Sequence, residues 1–220
     1  MSKALALLGQ LALEFKKRDQ DGRPSDYTFR RTVQPIRAEL YELIDRLAAG
    51  KIDYTKFETE AMRLLTHGHA RSAYLGRKRA GDFSPFEDDD QRFGELVMDR
   101  ERGFLRRFID DIRNLRYDDG AGGLDVNPIR SRMSLYTHKF RGTANETFVL
   151  GSPVDLEFDW EMLADEHCVD CPRFAAGGPY KWYELPTYPA AGATQCLTNC
   201  KCVLVRSDGV ISFSSVQYPL

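Results

Sequence analysis

The chain has 220 residues, of which 42% are hydrophobic, and this apolar content argues against global disorder because it can build a sizeable core. Its formal net charge of −2 supplies no overall basic field that would attract nucleic acid or an anionic membrane. No stretch reaches the roughly 18 apolar residues that a membrane span needs. The apolar segment 4–13 is not followed by a signal-peptide cleavage site, so we expect a protein made in a reducing cytoplasm.

Apolar residues recur at helical spacing through the first two-thirds of the chain, which predicts a domain of about five helices over residues 1–150. The first helix is expected over residues 4–15. The second carries an apolar stripe over residues 33–47 and ends at Gly50, which can adopt the left-handed cap conformation. Pro35 should then lie in the first turn of this helix, where a proline costs no hydrogen bond.

The remaining helices of this domain have clearer boundary signals. Asp53 is a candidate N-cap for the third helix, and the Gly-, Pro- and Asp-containing segment 81–90 that follows this helix is expected to be a solvated connector. The apolar stripe over residues 97–112 predicts a fourth helix of roughly six turns. The fifth helix should begin at Asn127-Pro128 and end at Gly151.

Beyond residue 151 the hydrophobic period changes from 3.6 to 2. Apolar and acidic residues alternate over 154–160, which predicts a half-buried β-strand. Two further apolar runs, 203–206 and 210–213, flank Asp208-Gly209, a dipeptide typical of hairpin turns. The sequence therefore predicts an α+β protein, in which a small Cys-rich, zinc-ribbon-like β module over residues 151–220 follows the helical domain.

All five cysteines lie in this module, in a C-x2-C…C-x3-C-x-C arrangement. A two-residue gap lets both thiolates of the first pair point to one side, and a second pair across a loop completes a tetrahedral zinc site. An odd number of cysteines in a reducing compartment favours metal ligation with one thiol left over. The predicted structural Zn²⁺ ligands are therefore drawn from Cys168, Cys171, Cys196, Cys200 and Cys202, and which of the last three is not a ligand stays open.

Other interpretations of the cysteines remain. Disulfides formed in an oxidising medium would pair Cys168 or Cys171 with a cysteine of the later group. A redox or nucleophilic role is disfavoured, because the C-x2-C lacks the βαβ context of thioredoxin motifs and has no opposed histidine. His167 could replace one thiolate, but its neighbour Cys168 makes simultaneous ligation awkward.

Four aromatic side chains lie on the Pro-rich loop between the two cysteine groups. They are expected either to pack over the metal module or to form a partner-binding surface, where Tyr and Trp are enriched. The two alternatives are equally compatible with the sequence. The residues concerned are Tyr180, Trp182, Tyr183 and Tyr188.

Basic and histidine residues of the helices are less informative. Arg77-Lys78-Arg79 and the arginines of the fourth helix could contact DNA phosphates, but interleaved acidic residues favour a solvated, ion-paired helix face. His67 and His69, two positions apart, point to different faces, and both are expected to be exposed.

One family resemblance covers residues 128–206 and is carried chiefly by the cysteine module. The stretch EHCVDCPRFAAGGPYKWYELPTYPAAGATQCLTNCKCVL at 166–204, with Trp160 before it, resembles the C-terminal segment of tailed-bacteriophage head morphogenesis proteins, the minor head protein family related to the phage Mu F protein. The closing Asn-Cys-Arg-Cys of that family corresponds to Asn199-Cys200-Lys201-Cys202. Several relatives have a His-Pro before this closing pair, where the present chain has Cys196. The segments 66–81 and 141–146 also look like parts of such proteins.

The resemblance implies a virion or assembly protein that acts near the portal of the phage head, made in the host cytoplasm and without enzymatic activity. Its partners would be capsid or portal proteins, and a homo-oligomer in the particle is compatible with this role. Two alternatives remain. One is a DNA-packaging accessory that contacts DNA through its basic helices. The other is a metal- or thiol-dependent hydrolase, for which neither an open metal position nor a general base can be assembled from the sequence.

Overall fold

The computed structural model describes residues 22–163 and 167–214, so the helix predicted over residues 4–15 lies outside the described part. The described chain is mainly helical, with one two-stranded antiparallel sheet and a Cys-rich C-terminal region, and this confirms the α+β prediction. None of its helices combines the length and the apolar character needed to cross a membrane. The elements are α1 (Asp26–Ala48), α2 (Tyr54–Ala80), α3 (Asp88–Arg113), α4 (Val126–Leu150), β1 (Phe158–Glu161), α5 (Asp170–Gly177), a 3₁₀ turn (Leu197–Asn199) and β2 (Val203–Arg206).

Helix α1 begins well before its apolar stripe. The Ser25 hydroxyl accepts a hydrogen bond of 3.2 Å from the Thr28 amide and caps the helix there. Pro35 consequently lies inside the helix, and its predicted place in the first turn is wrong. Arg31 and Pro35 are both exposed, so water can replace the amide donor that the Arg31 carbonyl loses.

Helix α2 begins and ends largely as its sequence indicates. The predicted cap is confirmed, because the Asp53 carboxylate accepts a hydrogen bond of 2.7 Å from the Lys56 amide. The helix ends at Gly81, which has a φ of +116°. His69 is buried, so its predicted exposure is wrong; its Nδ1 lies 2.7 Å from the Thr143 hydroxyl of α4, and burial lowers the pKa of the imidazole to about 3.

The acidic run predicted as solvated connector is in part the start of α3. The Glu87 amide donates to the Asp90 carboxylate at 3.0 Å in a capping box, and acidic residues fill the first turn. Asp90 is buried and forms a 2.7 Å salt bridge with Arg77 of α2. The local capping box makes the end of the connector the first turn of a helix, and the salt bridge fixes this turn to α2.

Helix α2 packs on both α3 and α4 with its backbone close to theirs. A Cβ atom added to Gly94 of α3 would lie 2.7 Å from the Thr66 carbonyl oxygen of α2. A Cβ added to Gly76 of α2 would lie 2.1 Å from the Ala144 carbonyl oxygen of α4. Glycine is therefore required at these two helix crossings.

The C-terminal module has an apolar core that includes side chains from the helices. Phe148 and Val149 of α4 pack with Phe158, Trp160 and other residues of the module. The predicted strand over 154–160 is shorter and later, because β1 spans Phe158–Glu161 and pairs antiparallel with β2. The Asp208-Gly209 turn forms as predicted, but the run 210–213 does not form a strand. It joins β2 through an isolated bridge between Val205 and Ile211 and through backbone hydrogen bonds, such as that of 2.8 Å from the Ser212 amide to the Leu204 carbonyl.

The glycine at the α2–α4 crossing yields a stability prediction. Gly76→Ala is expected to lower the free energy of unfolding by roughly 1–3 kcal/mol, because the new methyl group meets backbone that cannot move aside. Gly103→Ala in α3 is the matched control. Apart from the backbone of α3 itself, no described residue lies within 4 Å of the new Cβ there, so helix propensity should raise the free energy of unfolding by about 0.5–1 kcal/mol. Urea unfolding measures both, and equal stabilisation by the two substitutions would contradict the packing at Gly76.

Candidate metal centre

The five cysteine sulfurs lie in one cluster. The Sγ atom of Cys168 is 3.3 Å from that of Cys171 and 3.5 Å from that of Cys196. These three sulfurs form one group, and Cys171 forms a second with Cys200 and Cys202; within each group all sulfurs lie within 4.8 Å of one another. Four thiolates bound to zinc at about 2.3 Å in a tetrahedron are about 3.8 Å apart. The cluster could therefore hold a metal ion.

Short turns bring these residues together. The Cys171 amide donates to the Cys168 carbonyl at 3.2 Å, which folds the C-x2-C segment into the start of α5. The 3₁₀ turn separates Cys196 from Cys200, and Cys202 directly precedes β2. Cys168 and Cys171 at the start of α5 thus lie beside Cys196, Cys200 and Cys202, which precede β2.

The cluster has a buried side and a half-buried side. Cys171, Cys200 and Cys202 are buried, whereas Cys168 and Cys196 are half-buried. Trp160 packs against the buried side. Its indole Nε1 has no hydrogen-bond partner among the described residues that meets the usual distance and angle. The Trp160 side chain nevertheless interacts with Cys202 and favours the thiolate form of that cysteine. A buried N–H beside sulfur is satisfied once the sulfur carries negative charge.

In this cluster the ionisation of one thiol disfavours that of its neighbours, so that some pKa values are lowered and others raised. Burial raises the pKa of Cys171 to about 12 and that of Cys196 to about 11. Hydrogen bonds, chiefly from Cys202, lower the pKa of Cys200 to about 5, and the same contact together with burial raises the pKa of Cys202. Burial opposes ionisation of Cys168, but hydrogen bonds from its cysteine neighbours outweigh it and lower its pKa to about 7. Further thiolates in this cluster need a cation to offset their charge.

One buried cation lies beside the cluster. The Arg141 guanidinium of α4 donates hydrogen bonds to the carbonyl oxygens of Cys200 and, at 3.5 Å, Thr198. Its Nε has no hydrogen-bond partner, and no carboxylate of the described residues lies within salt-bridge distance of it. Burial lowers the pKa of Arg141, while the thiol of Cys200, the Asp26 carboxylate and the thiols of Cys196 and Cys202, in decreasing order of effect, favour its charged form.

The residues next to Arg141 fix to α4 the segment 178–202 between α5 and β2, here called the cysteine loop. A Cβ on Gly142 would lie 2.4 Å from the Ala190 carbonyl oxygen, so only glycine allows this approach. The Asn145 amide group donates to the Pro189 carbonyl at 3.1 Å and accepts from the Phe213 amide at 2.9 Å. Sequence reasoning reached this segment only through its resemblance to phage proteins. The available signal was a glycine and an asparagine on the buried face of a helix.

Other residues singled out in the sequence take different places. His167 is exposed and lies outside the cysteine groups. The four aromatic residues divide. Tyr180 and Tyr188 pack partly buried against the module core, whereas Trp182 and Tyr183 are exposed, with their rings edge to face at 5.5 Å.

The basic residues considered for DNA contact are engaged within the protein. Arg77 forms 2.7 Å salt bridges with Asp82 and Asp90. Arg79 is buried and donates hydrogen bonds of 2.7 Å to the carbonyls of Pro24 and Ile211. Arginines of α3 pair with neighbouring carboxylates, as in Arg102–Asp99, Arg106–Glu58 and Arg113–Asp110.

No protein-family model, curated protein or solved structure matches this chain. The resemblance to phage head proteins therefore stays a prediction from the sequence.

The shared position of Cys171 yields a prediction on metal binding. Cys171→Ser removes the sulfur common to both groups, and we expect it to abolish metal retention. Cys196→Ser removes a half-buried sulfur of one group only and should weaken retention less. Metal content after dialysis measures both variants. Equal metal content in the two would contradict the central position of Cys171.

Proposed function

We propose that the cysteine cluster is a structural zinc centre, in which four thiolates hold one Zn²⁺ and the fifth cysteine remains a free thiol. The all-sulfur donor set, the sulfur spacing and the burial of Cys171, Cys200 and Cys202 support this proposal. The observation that carries it is the convergence of all five cysteines from two separate segments on one site.

The proposed zinc would stabilise a module that has little regular structure. Beyond α4 the described chain has two four-residue strands, one eight-residue helix and a 3₁₀ turn. Small modules of this kind often need a disulfide or a metal in addition to their apolar core. Structural zinc sites contribute on the order of 10–16 kcal/mol to the folding of zinc-finger peptides.

Elemental analysis with thiol counting tests the zinc centre. Protein expressed in the cytoplasm is expected to contain about one zinc per chain and one readily reactive thiol, because a tetrahedral site uses four of the five cysteines. Removal of the zinc with a chelator should lower the melting temperature. Absence of zinc together with two disulfides would overturn the proposal.

We further propose that the protein is a non-enzymatic structural or assembly component of a tailed-phage head, which binds capsid or portal subunits. The resemblance of residues 166–204 to phage head morphogenesis proteins supports this role. A four-thiolate zinc site also leaves no coordination position for a reactive water, which is the feature that catalytic zinc sites retain. The exposed pair Trp182 and Tyr183 supplies the kind of aromatic surface that anchors protein interfaces.

The exposed aromatic pair provides a test of this role. In a phage or prophage that encodes the chain, Trp182→Ala combined with Tyr183→Ala should lower the amount of the protein in purified heads and the infectious titre. Its free energy of unfolding should change by no more than about 0.5 kcal/mol, as is usual for exposed side chains.

Tyr27→Ala is the matched control, because Tyr27 is an equally exposed aromatic residue on α1, outside the module. It should leave incorporation unchanged. Heads that assemble with normal titre when the gene is deleted would reject the role in the particle. Loss of incorporation in the control alone would place the binding surface on the helices.

A further inference from the structure

Arg141 is a charged side chain buried beside the cysteine cluster. It is only 7% exposed, and the acceptors of its hydrogen bonds are two carbonyl oxygens of the cysteine loop. A buried charge without a counter-charge is strongly destabilising, and arginine cannot discharge itself by losing its proton. The neighbourhood of Arg141 must therefore supply negative charge.

Two kinds of group near Arg141 can carry such charge, the buried Asp26 carboxylate and the thiols. The guanidinium interacts electrostatically most strongly with Cys200, next with Asp26, and then with Cys196 and Cys202. Asp26 can offset the charge of Arg141 but not that of the thiols, whose own charge needs a cation. When four neutral thiols bind Zn²⁺, they release four protons to solvent and form four Zn–S bonds, and the product carries two net negative charges. In a buried site these charges cost free energy unless a cation lies nearby. Lys201, the basic residue inside the C-x-C segment, is exposed and is screened by water.

We propose that Arg141 is the counter-ion of the metal centre and raises its affinity for zinc by offsetting the charge of the bound thiolates. The inference rests on the zinc centre proposed above. Arg141 is a positioning residue, because it holds the Cys200 carbonyl and faces the thiols without itself contacting the metal. Metal binding and the docking of the cysteine loop on α4 then favour each other, since both require the same side chain.

Zinc affinity measured by competition with a chromophoric chelator tests this inference. Arg141→Gln should weaken zinc binding roughly 10- to 100-fold, the usual effect of removing a residue that supports metal ligands. Arg141→Lys keeps the charge and should restore much of the affinity.

Arg206→Gln is the matched control. Arg206 is 2% exposed and also joins the module to the helices, with hydrogen bonds of 2.8 Å to the Ala80 carbonyl and the Ser152 hydroxyl, but its counter-charge is Asp208. Its loss should lower the melting temperature and leave zinc affinity unchanged. If Arg141 had a merely structural role, Arg141→Gln would also lower the melting temperature and leave zinc affinity unchanged. That result would overturn the inference.

The outcomes separate this inference from the zinc centre itself. Absence of zinc from the unmodified protein rejects the centre, whereas zinc binding that is equal in the unmodified protein and in Arg141→Gln rejects only the counter-ion. Should Arg141→Gln fail to fold, the zinc-dependent rise in melting temperature of Arg141→Lys decides. A rise close to that of the unmodified protein supports the role of the charge, and loss of the rise overturns it.

Discussion

The fixing of the cysteine loop on helix α4 is the interaction on which the rest of the structure depends. Gly142 lets the Ala190 backbone approach the helix, and Asn145 satisfies the Pro189 carbonyl and the Phe213 amide. Backbone groups of an irregular loop are costly to bury without such partners. Because α4 supplies them, Pro189 and Ala190 of the loop can lie buried, and the following residues bring Cys196, Cys200 and Cys202 to the C-x2-C segment at the start of α5.

Buried arginines carry much of this junction, and they differ in how their charge is balanced. Arg206 of β2 reaches the Ala80 carbonyl at the end of α2 and is balanced by Asp208. Arg79 of α2 reaches the Ile211 carbonyl and stacks on Phe213, with 4.7 Å between its guanidinium carbon and the ring centroid. Arg141 lies beside the cysteine cluster, and its charged form is favoured by the thiol of Cys200 and by the buried Asp26 carboxylate. In the proposed zinc centre, its charge would link the state of the thiols to the docking of the module.

The proposed functions follow from this division between a fixed interior and an exposed loop. A closed thiolate site would hold the module rigid and would perform no chemistry, while Trp182 and Tyr183 remain on its outer surface. A rigid aromatic surface binds a partner with little loss of conformational entropy. The proposed assembly role would require this behaviour.

The sequence by itself determined the features that depend on neighbouring residues. The Asp53 cap, the apolar stripes of the helices, the change of period beyond residue 151 and the spacing of the cysteines all follow from local chemistry. Only the tertiary structure decided that Asp90 pairs with Arg77, that His69 is buried against Thr143, and that Arg141 lies beside the cysteines. Each of these outcomes depends on which surface a distant segment covers, because burial and charge pairing are set by residues that lie far apart in the chain.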